Sequence, residues 1–153
     1  MRARKLVVEI VTPDGPVLTE RGVDALVLRR REARFELGSE IAILPLHAPM
    51  LIRLSVAPLR YRMGGQIFYL AVGGGFAEVE RDRVRVVTPR CERPDPERPD
   101  PRSAAEEKCR TWRRERVDSR EAMAGYPEPW GVRGSGAPPR DRPVPPSAPA
   151  AAR

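Results

Sequence analysis

Short apolar runs alternate with turn residues along the first 88 positions of the chain. Between Lys5 and Thr88, runs rich in Val, Ile and Leu recur every eight to twelve residues and are separated by Gly, Pro and Asp. Residues 6–11 have the period-two alternation of a strand, and residues 12–16 then supply turn formers. No helical periodicity interrupts the stretch, which argues against parallel βαβ architecture. The pattern predicts a mainly β fold: an antiparallel two-sheet β-sandwich of about ten strands.

Composition divides the chain near residue 90. The first 90 residues hold nearly all of the Val, Leu and Ile but only 6 of the 18 prolines. We therefore predict a β-sandwich domain over residues 1–90, a Pro-rich linker over 91–101, a single helix over 102–125 and a disordered tail over 126–153. About 90 residues are enough for a core that is stable without disulfides or metal.

The predicted helix has a start signal but a thin apolar face. Ser103 is a candidate N-cap, and Glu106 three residues later would complete a capping box. Gly125 and Pro127 would end the helix near Ala124. Its apolar positions are Ala105, Cys109, Trp112 and Met123. So narrow a stripe cannot hold an isolated helix, which must therefore dock on another surface or fray.

Charge and cysteine content narrow the environment of the protein. The formal net charge is +7, with one clear basic run at Arg29, Arg30 and Arg31. This charge favours adhesion to nucleic acid or anionic lipid without demonstrating either. Cys91 and Cys109 do not suggest a structural disulfide, so a reducing cytosol is the simplest compartment. No apolar run reaches the length of a membrane span.

A proline-bracketed loop holds the only histidine of the chain, His47. Pro45 and Pro49 restrict the backbone on both sides, so residues 46–48 form a stiff tip. Such a tip suits a docking surface, because little entropy is lost when it binds. The alternative is a β-corner whose histidine only hydrogen-bonds its own loop.

No catalytic residue, metal site or cofactor is predicted. One His and two distant Cys residues cannot form a closed tetrahedral metal site, and no Ser, Thr or Cys has a local general base. Gly73, Gly74 and Gly75 lack the following Lys and Ser or Thr of a phosphate loop. They instead predict a bulge or a close approach of two backbones.

These motifs, in this order, resemble the epsilon subunit of the rotary F-type ATP synthase, the subunit called delta in mitochondria. Residues 40–51, Glu-Ile-Ala-Ile-Leu-Pro-Leu-His-Ala-Pro-Met-Leu, are similar to the most recognisable loop of that family. The further resembling segments are residues 6–13, 59–62, 68–79 and 83–87. Together they cover roughly residues 5–90.

The resemblance implies a non-catalytic rotor subunit that links the gamma subunit to the c ring and couples proton flow to ATP synthesis. It implies that Glu40 and His47 face the polar loops of the c ring, and that the helix can contact the catalytic alpha/beta head. The expected location is peripheral, on the cytoplasmic side of a bacterial plasma membrane. Neither a nucleic-acid partner nor a homo-oligomer is expected.

The chain also departs from the family pattern. Ala42 stands where the family prefers Gly, and Leu46 where Gly or Asn is common. The family normally adds two C-terminal helices, whereas one is predicted here. The ATP-contacting pattern of some members is not cleanly present, because residues 118–120 have the wrong spacing, so ATP binding is not predicted. A basic β-barrel that binds nucleic acid, or a diverged and unassembled family member, are the alternative functions.

Overall fold

The computed structural model describes residues 4–34, 37–95 and 97–123, with side chains described as far as residue 116. These ranges contain eight strands and one helix. The strands are β1 (Leu6–Thr12), β2 (Gly15–Val23), β3 (Ala25–Arg29), β4 (Glu40–Ile43), β5 (His47–Met63), β6 (Gln66–Arg81), β7 (Arg83–Val87) and β8 (Cys91–Glu92), and the helix is α1 (Pro101–Met123). The predicted disordered tail, residues 126–153, lies outside the described residues.

The strands form one continuously paired sheet that folds over a shared core. Its order is β2-β1-β7-β6-β5-β3-β4, and β8 pairs with β6 off this path. The sheet is not closed, since β2 and β4 lie at its two ends. β1 and β7 run parallel, from the pair Val7 and Arg83 to the pair Val11 and Val87, and every other named pair is antiparallel. The predicted mainly β sandwich is confirmed, but the expectation of purely antiparallel pairing is wrong for β1 and β7.

The number of strands is smaller than predicted because β5 and β6 are long. The sequence predicted separate strands at residues 50–54 and 59–62, and again at 67–72 and 76–80. The structure joins each of these pairs into one strand, and β5 and β6 pair in a single register from Met50 to Met63. The turn between them contains Gly64 and Gly65 at φ 58° and 81°, as a tight type I′ hairpin turn requires.

The face of the β5–β6 hairpin that is turned toward the core switches at the middle of the hairpin. In β5, Ile52 and Leu54 face the core, but so do Leu59 and Tyr61. An odd separation between Leu54 and Leu59 would place them on opposite faces of a regularly alternating strand. The hairpin therefore reverses which of its faces is covered, and both halves supply side chains to one core.

The three glycines of β6 lie opposite this change of phase. The β5–β6 register runs without a shift across residues 73–75, so the predicted bulge is wrong for this ladder. Gly74 and Gly75 instead have φ values of 86° and 101°, which L-residues rarely adopt. A Cβ placed on Gly75 would lie 2.0 Å from the Val87 carbonyl oxygen. The glycines thus permit both the turn of the strand and a close approach of two backbones.

The core lies between the two arms of this folded sheet. Burial alternates strictly along β1, where Leu6, Val8 and Ile10 are fully buried. Further fully buried side chains come from other strands: Val23, Leu26, Ile43, Ala77, Val84 and Val86. The alternation follows from the period of two residues in a strand, with one face on the core and one toward solvent.

α1 begins two residues earlier than its predicted cap. The Asp100 carboxylate accepts hydrogen bonds from the backbone amides of Arg102 and Ser103, at 3.0 and 3.2 Å. Asp100 is therefore the N-cap, with Pro101 at the first helical position that suits proline. The prediction that Ser103 caps the helix is wrong, because an equally good capping sequence lies just before it.

The helix docks on the outer face of the β5–β6 hairpin. Ala105, Cys109 and Trp112 are 1%, 0% and 6% exposed and pack against Val56 and Ala71. The predicted apolar stripe is confirmed at these three positions, and the Met123 side chain lies outside the described residues. Docking supplies the packing that the thin stripe could not provide alone.

Candidate functional site: the β4–β5 loop

The loop between β4 and β5 is anchored to a neighbouring turn. The Leu46 amide donates a hydrogen bond to Asp82 Oδ1 at 2.8 Å, and the His47 amide donates to the Leu44 carbonyl at 3.2 Å. Asp82 lies in the turn between β6 and β7, so the tip is tied to the sandwich by a residue 36 positions away. The position of the tip is therefore determined by the fold and not by the prolines alone.

Leu46 has an unusual backbone conformation for its side chain. Its φ is 66°, in the left-handed region, where a non-glycine residue costs about 1–2 kcal/mol. Gly and Asn tolerate this conformation, which gives a physical reason for the preference at this position that the resemblance implies. Here the strain coincides with the exposure of a leucine side chain, which is a frequent property of functional loops.

The imidazole of His47 has a defined orientation. Its Nδ1 lies 2.9 Å from the Ala48 carbonyl oxygen. Because a carbonyl oxygen can only accept, Nδ1 is assigned as the donor, and Nε2 is left to bind another group. His47 also starts β5 opposite Arg81, next to the register shift that ends at Met50 and includes Pro49.

Glu40 lies at the opposite end of β4 from the loop tip. Its two carboxylate oxygens accept hydrogen bonds from Arg60 at 2.9 Å each, and Arg29 lies at 3.2 Å. The Arg60 hydrogen bonds, despite partial burial, lower the pKa of the Glu40 carboxyl from its ordinary value. No hydrogen bond or ion pair joins Glu40 to His47 among the described residues, and the strand between them spans about 10 Å.

Two leucines that the sequence pattern did not mark, Leu44 and Leu51, join Leu46 as exposed apolar residues of the loop and its flanks. Leu44, Leu46 and Leu51 are 53%, 61% and 71% exposed. The signal that could have found them is the occurrence of leucine beside proline in a turn, where no strand periodicity requires an apolar residue. Exposed leucines this close together along the chain make the loop a candidate interaction site.

The described residues give little support for metal binding, cysteine chemistry or a membrane-spanning helix. Among the described side chains, no group of His, Cys, Asp and Glu is placed to hold a metal ion. Burial raises the pKa of the Cys91 and Cys109 thiols to about 11, which keeps both protonated and poorly nucleophilic at neutral pH. No helix in the described ranges is long and apolar enough to cross a bilayer.

Tyr61 and Phe68, two of the aromatic residues of the sheet, are poorly placed to stack on bases. Tyr61 and Phe68 stack on each other with ring centroids 5.0 Å apart, and Tyr61 is only 4% exposed. Binding of single-stranded nucleic acid needs aromatic faces that are open to bases. The geometry therefore favours the loop over these rings as the functional surface.

The fold and the loop together define a β-sandwich protein with an anchored surface loop that exposes leucines. Residues 5–94 match the family described as ATP synthase, Delta/Epsilon chain, beta-sandwich domain. The chain belongs to this family. The matched residues include the whole β4–β5 loop and all eight described strands.

Curated relatives are similar to the matched segment, and a solved structure shares the fold. The ATP synthase epsilon chain of Geobacter metallireducens is 44% identical over 93 residues, which are 61% of this chain and 62% of the relative. That of Syntrophobacter fumaroxidans is 41% identical over 90 residues, 59% of this chain and 62% of the relative. The matched region thus spans somewhat less than two thirds of either relative. A chain of the Euglena gracilis mitochondrial ATP synthase has the same fold, with a TM-score of 0.53, 18% identity, and coverage of 84% of this chain and 71% of that one.

Proposed function

We propose that this protein is a non-catalytic rotor subunit of a proton-translocating F-type ATP synthase, linking the gamma subunit to the c ring. The observation that carries the proposal is the family match over residues 5–94, within which the 40–51 loop is displayed at the surface. The name of the relatives, ATP synthase epsilon chain, supports the same assignment. In this role the subunit couples proton flow to ATP synthesis and carries out no bond chemistry itself.

The proposed c-ring contact is the loop tip. Leu44 and Leu46 would supply apolar contact area, and His47 Nε2 would hydrogen-bond a polar group of the ring. A subunit that transmits torque needs a contact surface that keeps its position under load. The hydrogen bond from the Leu46 amide to Asp82 holds the loop on the sandwich and so meets this need. Glu40 belongs to the proposed surface as a partly exposed carboxylate whose charge is already balanced by arginines.

The proposed location is peripheral, on the cytoplasmic side of a bacterial plasma membrane, in agreement with the bacterial origin of the relatives named above. The sandwich would contact gamma and the c ring. The helix would be the element nearest to the alpha/beta head, although its buried face is occupied by the sandwich.

Co-purification tests the rotor assignment. The full chain, expressed with gamma from the same organism, should remain bound to gamma through size-exclusion chromatography. Membranes that lack the chain should retain ATP hydrolysis by the catalytic head but lose ATP-driven proton pumping. If the chain separates from gamma and its removal leaves proton pumping intact, the proposal is wrong.

Site-specific photocrosslinking tests the contact loop. A benzoylphenylalanine at Leu46 should crosslink to the c subunit in assembled complexes. Ile67 is the matched control, because it is similarly exposed, 54% against 61%, but lies beside the hairpin turn at the other end of β6. Equal crosslinking from both positions would contradict a specific contact at the loop.

A further inference from the structure

A second surface feature is a cleft between α1 and the middle of the β5–β6 hairpin. It has a volume of about 460 Å³ and lies over the three glycines of β6. One wall carries Arg31 and Arg53, which are neighbours because the Arg31 amide donates to the Arg53 carbonyl at 2.8 Å. The other wall carries Arg90 and Arg116. The cleft exists only because α1 docks beside the glycines, and it is distinct from the β4–β5 loop.

The charge of the cleft is strongly unbalanced. Among its described lining residues are four arginines and one glutamate, Glu115, which sum to a formal charge of +3. Arg90 pairs with Glu115 at 2.6 Å. Within the described residues, neither Arg53 nor Arg116 has a hydrogen-bonded or ion-paired side-chain partner. Guanidinium groups on both sides of one cleft favour a ligand with several anionic groups.

The floor of the cleft is apolar. Val56 and Leu54 lie at its base, and Phe76, 50% exposed, forms one edge. The Trp112 ring lies beneath the Arg90 guanidinium, 5.8 Å from its centroid, and the indole is therefore part of the wall. A small inorganic anion could pair with the arginines but could not use this apolar surface. A polypeptide segment that carries both carboxylates and apolar side chains matches both properties.

We propose that this cleft is a docking site for an acidic, apolar-containing polypeptide segment of a partner protein. Its carboxylates pair with Arg53 and Arg116 on the two walls, where forked guanidinium groups bind carboxylates in a bidentate manner. An apolar side chain of the segment covers Phe76 and packs toward Trp112. This binding site does not depend on the proposed rotor role, because it uses neither the loop tip nor His47.

Titration of the full-length, ¹⁵N-labelled chain with three probes tests the proposal. The probes are a twelve-residue peptide that alternates Glu with Phe and Leu, a twelve-residue poly-glutamate, and pyrophosphate. We expect the mixed peptide to bind at least fivefold more tightly than the other two and to shift the Trp112 indole N–H resonance. A pyrophosphate that binds more tightly than the mixed peptide would overturn the proposal in favour of a small-anion site.

Two double variants separate the cleft from general charge attraction. R53Q with R116Q should weaken mixed-peptide binding about tenfold, because two charge-assisted pairs are lost. R21Q with R83Q removes the same charge from exposed positions on β2 and at the start of β7, and should change affinity less than twofold. Near-ultraviolet circular dichroism verifies that each variant is folded. Equal weakening by both pairs, or no binding of the mixed peptide, would refute the docking site.

Discussion

The two halves of the β5–β6 hairpin share one register but have different outer faces. In the half that contains the start of β5, Leu51 and Phe76 point outward and remain 71% and 50% exposed. In the half nearer the hairpin turn, Val56 and Ala71 point outward and are 6% and 1% exposed because α1 covers them. Both halves therefore carry apolar side chains on an otherwise mixed outer face, and a covering element decides which of these side chains are available to partners.

The division between the halves falls at the glycines. Gly75 is the position where the strand changes phase and its backbone approaches Val87. The half that contains the start of β5 lies next to the proposed c-ring contact. The half nearer the hairpin turn is the surface on which α1 packs. The same pair of strands can therefore serve one intermolecular and one intramolecular interface.

The largest expected loss of stability comes from a substitution at Gly75, between the two halves of the hairpin. Gly75→Ala adds a Cβ that would lie 2.0 Å from the Val87 carbonyl oxygen, at a backbone φ of 101°. We expect the free energy of unfolding to fall by more than about 3 kcal/mol, as strain and the steric clash add. Urea denaturation measures this. Gly65→Ala is the control: its φ is 81° but no atom lies within 4 Å, so a loss of about 1–2 kcal/mol is expected.

The next largest effect is expected from weakening the packing of α1 on the half of the hairpin nearer its turn. Trp112→Ala deletes the largest side chain of the docked stripe, and core truncations of this size cost about 3–5 kcal/mol. Because α1 packs on the outside of the sandwich, we expect the helix to undock while the strands stay paired. Circular dichroism at 222 nm should lose helical signal well below the main unfolding transition. A single transition that is shifted as a whole would contradict this separation.

Truncation on the uncovered half supplies the matched comparison. Leu51→Ala removes an outward leucine that is 71% exposed, so the isolated chain should change in stability by less than about 0.5 kcal/mol. If the proposed rotor contact includes this surface, the same variant should weaken binding within the assembled complex. A large stability loss in the isolated chain would show that Leu51 is structural after all.

A smaller effect is expected from acid titration of Glu40, which joins β4 to the second half of the hairpin. Its pKa is lowered mainly by the Arg60 hydrogen bonds. A depressed folded-state pKa stabilises the fold above the unfolded value, about 4.3, and this contribution is lost as pH falls through the folded value. Glu40→Gln should therefore flatten the loss of stability below pH about 4.3.

The size of this pH effect is limited by solvent. The Glu40 side chain is 41% exposed, so the contribution should stay below about 1 kcal/mol. Glu80→Gln is the control, since Glu80 has no ion pair among the described residues. Urea midpoints between pH 3 and 7 measure both variants, and identical profiles would contradict the assigned Glu40 interaction.

A small gain in stability is expected from a substitution in the loop just before β5. Leu46→Asn places a residue that tolerates the left-handed region at φ 66°. The isolated chain should become more stable by a few tenths to about 1 kcal/mol, as the strain is relieved. The proposed c-ring contact should weaken, because an exposed leucine is lost. Thermal unfolding measures the first result, and a loss of stability would argue against strain at this position.

Local patterns predicted much of the fold. The alternation along β1 and the stripe of α1 both depend on spacing within a few residues, and the structure has them as expected at the described positions. The helix cap was misassigned because two capping patterns overlap. Asp100 takes the role predicted for Ser103, and the Glu106 carboxylate is held by Arg113 at 2.8 Å instead of reaching back to a cap.

By itself, the sequence determined the β class of the fold and the identity of the loop motif, because each depends on local composition and on period-two burial. Only the tertiary structure decided the parallel pairing of β1 with β7, the separation of Glu40 from His47 and the cleft beside α1. Each of these features depends on which strands and helices pack next to each other. Such contacts depend on the whole packing of the sheet and leave no periodic signal in the sequence.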